Sequence, residues 1–332
     1  MNPKDSFLLR NNRDIDENSR LSAKAKRRMG KAKADNTLKA YGCDWSDFVD
    51  WCEHHKEPFL PTTPETIVNY INDLADDAKA NTVSRRITAI SENHIAAGYG
   101  RNNPAKEGIV RTAMSAIRRE KGTFQKGKAP ILMETLYLLA DCFGDDIVSL
   151  RDKALILLGF AGAFRRSELV RIQMNELSFS PEGMTVFIPH AKGDQLGRGS
   201  TIAIPYAPDE EICAVRAVER WILTAQIQHG PLFRGFKNNR EIRDSQLSDK
   251  SVALIVKKYI AMAGLDAGSF AGHSLRRGFA TSAAQHDVDA LTIMRQTRHK
   301  SEKMVHRYIE QGNIFKDNAL ARMYKPSHIR KN

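Results

Sequence analysis

The spacing of apolar and polar residues between positions 36 and 121 predicts four helices. The second begins at the Pro61–Glu65 turn, the third opens at Asn81, and the fourth carries Ile109 to Ile117. The first begins at Asn36, which can cap it, and carries apolar residues at helical spacing: Leu38, Tyr41, Trp45, Phe48, Trp51 and Cys52. Such stripes are typical of the core of a helical bundle.

A second domain is predicted after a stretch rich in glycine and polar residues, Gly122 to Pro130. It is mostly helical, except for two β-rich runs, 184–189 and 200–205, which a glycine-rich loop joins as a hairpin. The predicted fold is therefore mainly α with two domains: a helical bundle, then an α+β domain with a small antiparallel sheet. The expected boundaries are a flexible basic arm (1–34), the bundle (35–122), a linker (123–130) and the second domain (131–332).

Charge points to a polyanionic partner. The 332 residues carry 51 Lys and Arg against 39 Asp and Glu, a formal net charge of +12, which favours nucleic acid or a membrane surface. A generally basic soluble protein is the alternative. No run of about 18 uncharged apolar residues, the length that spans a membrane, is present, and the most apolar stretch, Ala154 to Phe164, is too short. Residues 1–20 lack the apolar segment of a secretory signal.

The four cysteines are scattered and form no Cys-x-x-Cys pair. This spacing argues for a reducing compartment and against a structural zinc site, so we expect a cytosolic protein. Between Arg20 and Lys33 the chain has seven Lys and Arg and no acid. That arm could lie along phosphates or be a tail without specific contacts.

Polar faces of the predicted helices could contact a duplex, although a charged helix face is often only solvated. The residues in question are Lys39, Lys79, Ser84, Arg85, Arg86 and Arg118.

Two short motifs could hold a phosphate. Arg165 and Glu168 lie three residues apart after an apolar run, so we expect them on one helix face. They form either a surface ion pair or a rigid guanidinium fork for phosphate oxygens. His273 and Arg276 have the same spacing at the start of a helix after Gly272, where an oxyanion would be stabilised. A charged helix start is the plain alternative.

A late tyrosine completes the pattern. Tyr308 follows His299 by nine residues, and on one straight helix the two would face opposite ways. The segment 300–302 can end one helix and cap the next, which would let them converge. Alone, Tyr308 would be read as an edge residue of the core. Lys192, in the glycine-rich loop of the hairpin, could enter a DNA groove or simply be solvated.

Taken jointly and in this order, these motifs resemble those of the tyrosine recombinase (phage integrase) family, over about residues 36–325. The layout looks most like the two-domain Cre-type and Xer-type enzymes, with a SAM-like core-binding bundle before the catalytic domain. Two departures stand out. Ala163-Phe164-Arg165 replaces the usual Gly-Leu-Arg, and in the later motifs Arg277 stands where histidine is common and Arg298 stands where glycine is common before His299.

The resemblance implies a role for each matching residue. Tyr308 would be the nucleophile that forms a 3′-phosphotyrosine, with Lys192 protonating the leaving 5′-oxygen and His273 accepting a proton or bonding the phosphate. The remaining matches, which would bind or orient the phosphate, are Arg165, Glu168, Arg276 and His299.

The resemblance also implies partners and location. We expect double-stranded DNA with inverted-repeat half-sites, a homotetramer on that DNA, a C-terminal segment docked on a neighbouring protomer, a Holliday junction and no ATP, metal or other cofactor. The protein would act in the cytoplasm at the nucleoid, encoded by a bacterium, phage or mobile element. A type IB-like topoisomerase and a DNA-binding protein without catalytic activity are the alternatives.

Overall fold

The structure, a computed structural model, describes residues 22, 35–124, 127–189, 199–238, 241–299, 301–312 and 319–323. Apart from Ser22, the predicted arm lies outside the described residues, as does Lys192. The chain divides into two compact units, residues 1–126 and 127–332. This boundary falls inside the stretch 123–130 that the sequence predicts as a linker.

The first unit is a helical bundle, which confirms the four helices predicted there. Thr63 caps the second helix, since its side chain accepts a hydrogen bond from the Thr66 amide, and Pro64 occupies the first turn. The stripe predicted on the first helix supplies the core, with Trp45, Phe48 and Cys52 fully buried. The helices are α1 (Asp35–His55), α2 (Pro64–Asp77), α3 (Ala80–Ala96) and α4 (Gly108–Lys121).

The second unit combines helices with two small sheets. Its described helices are α5 (Met133–Ala140), α6 (Ile147–Ala161), α7 (Arg166–Leu169), α8 (Ala214–Thr224), α9 (Asp249–Met262), α10 (His273–Gln285), α11 (Ala290–Thr297), α12 (Glu302–Gly312) and α13 (Ala319–Met323). Its described strands are β1 (Leu177–Ser180), β2 (Gly183–Ile188), β3 (Ser200–Pro205), β4 (Arg234–Lys237) and β5 (Glu241–Gln246).

The predicted hairpin is present as β2 and β3, antiparallel, with Val186 opposite Ile202. Strand β1 extends it to three strands, in the order β1-β2-β3, and β4 pairs with β5 in a separate antiparallel sheet. Strands β1, β4 and β5 are not among the predicted elements. The reason is visible in β5, where Ile242 is the single apolar residue and no alternation exists.

Helix α6 lies at the centre of the second unit. Every residue from Ala154 to Phe160 is buried, and α8 and α10 pack against the helix. Such burial on every side explains why its sequence is apolar without helical periodicity. Within the described ranges, no helix is both long and apolar enough to cross a bilayer.

A small satellite cluster holds the last part of the unit together. Ala280 and Ala284 on α10, Ile293 on α11 and Val305 on α12 are buried against one another. Tyr308 packs at the edge of this cluster. The helix that carries the tyrosine is thereby fixed against the helix that begins at His273.

The segment that opens the second unit is bonded to α10 and the turn before it. The Ala129 amide donates to the Ser269 carbonyl, and the Ile131 amide donates to the Ser274 carbonyl. Gly278 lies against the Ile131 backbone so closely that a Cβ there would overlap the Ile131 carbonyl. We call residues 127–131 the strap.

Candidate active site

Arg165 and Glu168 are brought together by a helix cap. Their spacing predicts one face of a single helix, but α6 ends at Ala161 and Arg165 is the N-cap of the separate helix α7. The break occurs because Ala163 adopts a left-handed backbone, with φ of 45°. The Glu168 carboxylate then accepts the Arg165 amide at 3.0 Å, as in a capping box.

Glu168 is a buried carboxylate shared between two arginines. Its Oε1 lies 2.5 Å from Arg165 Nη1, and its Oε2 lies 3.0 Å from Arg298 Nη2. Burial alone would raise the pKa of Glu168, but the bond from the Arg165 amide and the charge of Arg298 outweigh it. The pKa is therefore held below its usual range, and Glu168 is ionised at neutral pH.

Arg276 is a buried cation with spare hydrogen-bonding capacity. It is 1% exposed, and its Nη1 donates to the Ala163 carbonyl at 2.7 Å. Its Nη2 is buried and has no hydrogen-bond partner within the described residues. Burial, followed by the charges of Arg165 and Arg298, lowers the pKa of Arg276 to about 9. The site therefore has an excess of positive charge that a bound anion would relieve.

His273 lies one turn before Arg276, at the first position of α10 after Gly272, as the sequence predicts. Its side chain reaches the surface. Packing against the surrounding protein and the charges of Arg276 and Arg165 lower the pKa of His273. The ring is therefore neutral near pH 7 and able to accept a proton.

His299 and Tyr308 meet across a break between two helices. Helix α11 ends at Thr297 and α12 begins at Glu302, so the predicted interruption is present. The centroids of the two rings are 5.8 Å apart. Tyr308 is half-buried and close enough to Arg276 to influence the pKa of that guanidinium.

A hydrogen-bond chain fixes the proton of His299. The Thr297 hydroxyl donates to the Ile293 carbonyl at 2.6 Å, and His299 Nδ1 lies 2.7 Å from the same hydroxyl. Because that hydroxyl has one hydrogen, Nδ1 must carry the proton in the second bond. Burial and the charge of Arg276 lower the pKa of His299 to about 4, so at neutral pH its Nε2 is an unprotonated acceptor.

The phage integrase family model matches residues 133–313, which include every one of these side chains. The chain belongs to the phage integrase family. This confirms the resemblance drawn from the motifs, and it makes the chain a tyrosine recombinase, an enzyme of the DNA strand-transferring class.

Relatives agree with this assignment. The integrase is 74% identical over 326 residues to an integrase/recombinase XerD homolog of Selenomonas ruminantium, covering 98% of this chain and 96% of that one. It is 23% identical over 275 residues to the tyrosine recombinase XerD of Yersinia pestis, covering 80% and 83% of the two chains.

Solved structures share the fold. One is the XerH site-specific recombinase bound to palindromic difH substrate in a post-cleavage complex, with a TM-score of 0.62, 15% identity, and coverage of 95% of this chain and 97% of that one. Another is the Tn1549 transposon integrase in complex with transposon right end DNA, with a TM-score of 0.61, 15% identity, and coverage of 85% and 91%.

Three residues that contribute to the integrase site were not among the predicted site residues. Arg298 contacts Glu168, Thr297 orients His299, and Gln296 Nε2 donates to the carbonyls of Ala161 and Ala203. The last contact ties the base of the β2–β3 hairpin to the site. The one signal in the sequence was Arg298 in place of glycine, which marked a departure but gave no role.

Six of the seven predicted catalytic residues lie in the described part of the integrase, and all six belong to this cluster or border it. Lys192 lies outside the described residues. Among the described residues, no three His, Cys, Asp or Glu side chains are grouped so that they could hold a metal ion. The roles of the individual residues remain predictions.

The predicted DNA-contacting residues of the first unit differ in their surroundings. Lys39 and Lys79 are exposed, and Arg118 Nη2 donates to Ser84 Oγ at 3.2 Å. Arg85 is 44% exposed and pairs with Asp44 at 2.6 Å.

Arg86, by contrast, points into the bundle. Its side chain is 17% exposed, pairs with Asp47 and Asp44, and donates to the Tyr70 hydroxyl at 2.9 Å. The guanidinium is therefore used to satisfy carboxylates of α1.

Proposed function

We propose that this integrase breaks and rejoins duplex DNA at specific sites through a covalent 3′-phosphotyrosine at Tyr308. The observation that carries the proposal is the guanidinium of Arg276, buried at 1% exposure with an unpartnered Nη2 among the described residues. A buried cation without a directly bonded anion is costly. A scissile phosphate between Arg276, Arg165 and Tyr308 would supply that anion at the position where negative charge grows during the reaction.

The chemical step is a transesterification. The Tyr308 hydroxyl attacks phosphorus, and His273, neutral at pH 7, accepts its proton. The bond from phosphorus to the 5′-oxygen breaks, and Lys192 gives that oxygen a proton. The products are a 3′-phosphotyrosine and a free 5′-hydroxyl. Because one ester replaces another, rejoining by a 5′-hydroxyl is the reverse reaction and needs no ATP.

Binding of the phosphate would change the state of His299. The free ring is neutral, with its Nδ1 proton donated to Thr297. A phosphate anion near Nε2 raises the pKa of the ring, so that the protonated ring can donate to a phosphate oxygen. Arg165, held by Glu168, and Arg276 would bind the non-bridging oxygens.

Recombination joins two duplexes and therefore needs four cleavages, so we propose a homotetramer on inverted-repeat half-sites, which passes through a Holliday junction. A palindromic substrate is bound by the structural relative XerH. Helix α13, with Leu320 and Met323 exposed at 52% and 74%, would dock on the neighbouring protomer in a closed ring.

The first unit would grip the duplex from its polar faces. Phosphate contacts are proposed for Lys39, Lys79, Ser84, Arg85, Arg86 and Arg118, with the 1–34 arm along the backbone. The exposure of Lys39 and Lys79 supports them most directly. For Arg86 the internal ion pairs make any phosphate contact secondary.

The test uses DNA that the protein itself selects. Duplexes retained from a random pool by the Tyr308→Phe variant are rebuilt with a nick beside the scissile position, so that the cleaved strand leaves. Wild type is expected to form a denaturation-resistant adduct on the strand carrying the 3′-phosphate, and Tyr308→Phe none. Tyr137→Phe, at an exposed tyrosine of α5, is the matched control and should react like wild type.

An equal adduct from Tyr308→Phe would refute the nucleophile. Relaxation of plasmids that lack the selected sequence would point instead to a topoisomerase. For the assembly, a chain ending at Gly312 is expected to bind half-sites but not to form the four-protomer complex in electrophoresis. Tetramers formed by that shortened chain would contradict docking by α13.

A further inference from the structure

The Arg298 side chain is hydrogen-bonded to the active-site turn through both terminal nitrogens of its guanidinium. Its Nη1 donates to the carbonyls of Gly162 and Gln296 at 3.1 and 2.9 Å. Its Nη2 donates to the Ala163 carbonyl at 3.2 Å and to Glu168 at 3.0 Å. The side chain is 8% exposed, and its guanidinium lies over the ring of Phe164, 5.0 Å from the centroid.

These contacts converge on the groups that orient both phosphate-binding arginines. The Ala163 carbonyl that Arg298 binds also accepts from Arg276 Nη1 at 2.7 Å. The Glu168 carboxylate that Arg298 binds through Oε2 also holds Arg165 through Oε1. One side chain therefore fixes the acceptors of Arg276 and Arg165 together.

Arg298 also reaches the nucleophile through its own backbone position. It directly precedes His299, whose ring lies beside Tyr308, and it ends α11 in a left-handed conformation, with φ of 55°. That conformation is unfavourable for a residue with a Cβ. The hydrogen bonds of its side chain compensate for this backbone strain, and they tie the His299 segment to the Arg165 turn.

We propose that Arg298 is a positioning residue that sets the distance between the phosphate-binding arginines and the His299–Tyr308 pair, an inference that rests on the proposed function. It does not contact the reacting atoms. It acts through Glu168, Ala163 and the backbone of His299, and it also adds a third positive charge to the site. Losing it would leave DNA binding nearly intact while slowing the cleavage step.

The experiment measures single-turnover adduct formation on the nicked substrate at saturating protein, with half-site affinity measured separately. Arg298→Met should cut the saturated rate about 100-fold, as expected for a small misplacement of reacting groups, while affinity changes less than about threefold. Arg295→Met is the matched control: an exposed arginine one turn earlier on α11, losing the same charge. It should react within about threefold of wild type.

A pH profile separates positioning from general stability. Glu168 faces three guanidiniums, those of Arg165, Arg298 and Arg276, and the charge of Arg298 contributes to its lowered pKa. As pH falls, activity is lost first by protonation of His273, the proposed proton acceptor, and at lower pH by protonation of Glu168. Removing the charge of Arg298 raises the pKa of Glu168, so this second loss of activity should begin at a higher pH in Arg298→Met. Arg295→Met should lose activity at acid pH over the same pH range as wild type.

Arg298→Gly protects the test against misfolding, because glycine adopts the left-handed backbone without strain. A folded Gly variant should be as slow as the Met variant. If either folded variant cleaves within threefold of wild type with an unshifted acid limb, or if both lose cooperative unfolding, Arg298 is not a positioning residue. If wild type itself forms no adduct, the proposed function fails instead, and the two failures are distinct.

Discussion

The ring of His299 lies 5.8 Å from the ring of Tyr308, centroid to centroid, with the planes inclined by 34°. We expect His299→Gln to slow adduct formation by about 10²-fold, because a group that positions the phosphate or moves a proton contributes about that much. The measurement is the single-turnover rate on the nicked substrate. His306→Gln, at an exposed histidine of α12, is the control and should retain the wild-type rate. Comparable rates for the two variants would show that His299 does not contribute to the cleavage step.

The second prediction concerns the tautomer of His299, which nitrogen NMR of labelled protein near pH 7 can determine. The signal of a neutral ring with its proton on Nδ1 is predicted, because the Thr297 hydroxyl has no second hydrogen to donate. Thr297→Val removes the acceptor with little change in volume. The variant should show the other tautomer in part and cleave about tenfold more slowly. A wild-type ring protonated on Nε2 alone would contradict the hydrogen-bond chain.

Stability should depend on pH through His299. Its pKa is about 4 in the folded protein and about 6.5 when unfolded. Between these values the unfolded chain binds the extra proton, so the folded state loses stability as pH falls from about 6.5 toward 4. Partial exposure of the ring reduces the effect to about 1 kcal/mol. Urea unfolding of DNA-free protein should show a shallower acid decline in His299→Gln than in wild type or His306→Gln.

Substitutions of Arg86 and Arg118 should affect different properties: stability for Arg86 and DNA binding for Arg118. Arg86→Met leaves carboxylates of α1 short of a partner and should lower the free energy of unfolding by about 2 kcal/mol. Arg118→Met breaks one exposed hydrogen bond and should leave stability within about 0.5 kcal/mol. It should instead reduce the salt dependence of half-site affinity by about one unit of log–log slope. An unchanged slope would exclude Arg118 from phosphate contact.

Gly278→Ala should destabilise the second unit by about 2–3 kcal/mol, because the new methyl group overlaps the Ile131 carbonyl, which belongs to the backbone and cannot rotate away. Gly235→Ala is the control, since a Cβ there would make an ordinary contact with Arg243 at 3.7 Å. Thermal unfolding followed by calorimetry would compare the two. Equal melting temperatures would mean that the strap can move away from the new methyl group without loss of stability.

Much of the fold could be predicted from the sequence, because long stripes such as that from Leu38 to Cys52 encode which face of a helix is buried. The motifs proposed to bind phosphate were also visible, since Arg165, His273 and Arg276 keep fixed local spacings. Strand β5 could not be predicted, because it is stabilised by pairing with β4 and not by its own pattern. The role of Arg298 could not be predicted either, because its partners lie about 130 positions away.

Two departures from the family pattern fall at positions with the same backbone conformation. Ala163 and Arg298, which stand where glycine is usual, both have left-handed backbones, with φ of 45° and 55°. Glycine is favoured at such positions because it lacks a Cβ. The sequence shows the two substitutions. The backbone angles at these positions depend on how the Arg165 turn packs against the end of α11, which the sequence does not show.

The strap also decides where this protein can be divided. Residues 127–131 supply bonds to the turn before α10 and fill the space beside Gly278. A catalytic fragment that begins at residue 132 would expose that face of α10 and leave the His273–Arg276 turn without its backbone partner. A fragment that begins at residue 127 keeps both, so the first unit can be exchanged for another domain at a junction before Gly127.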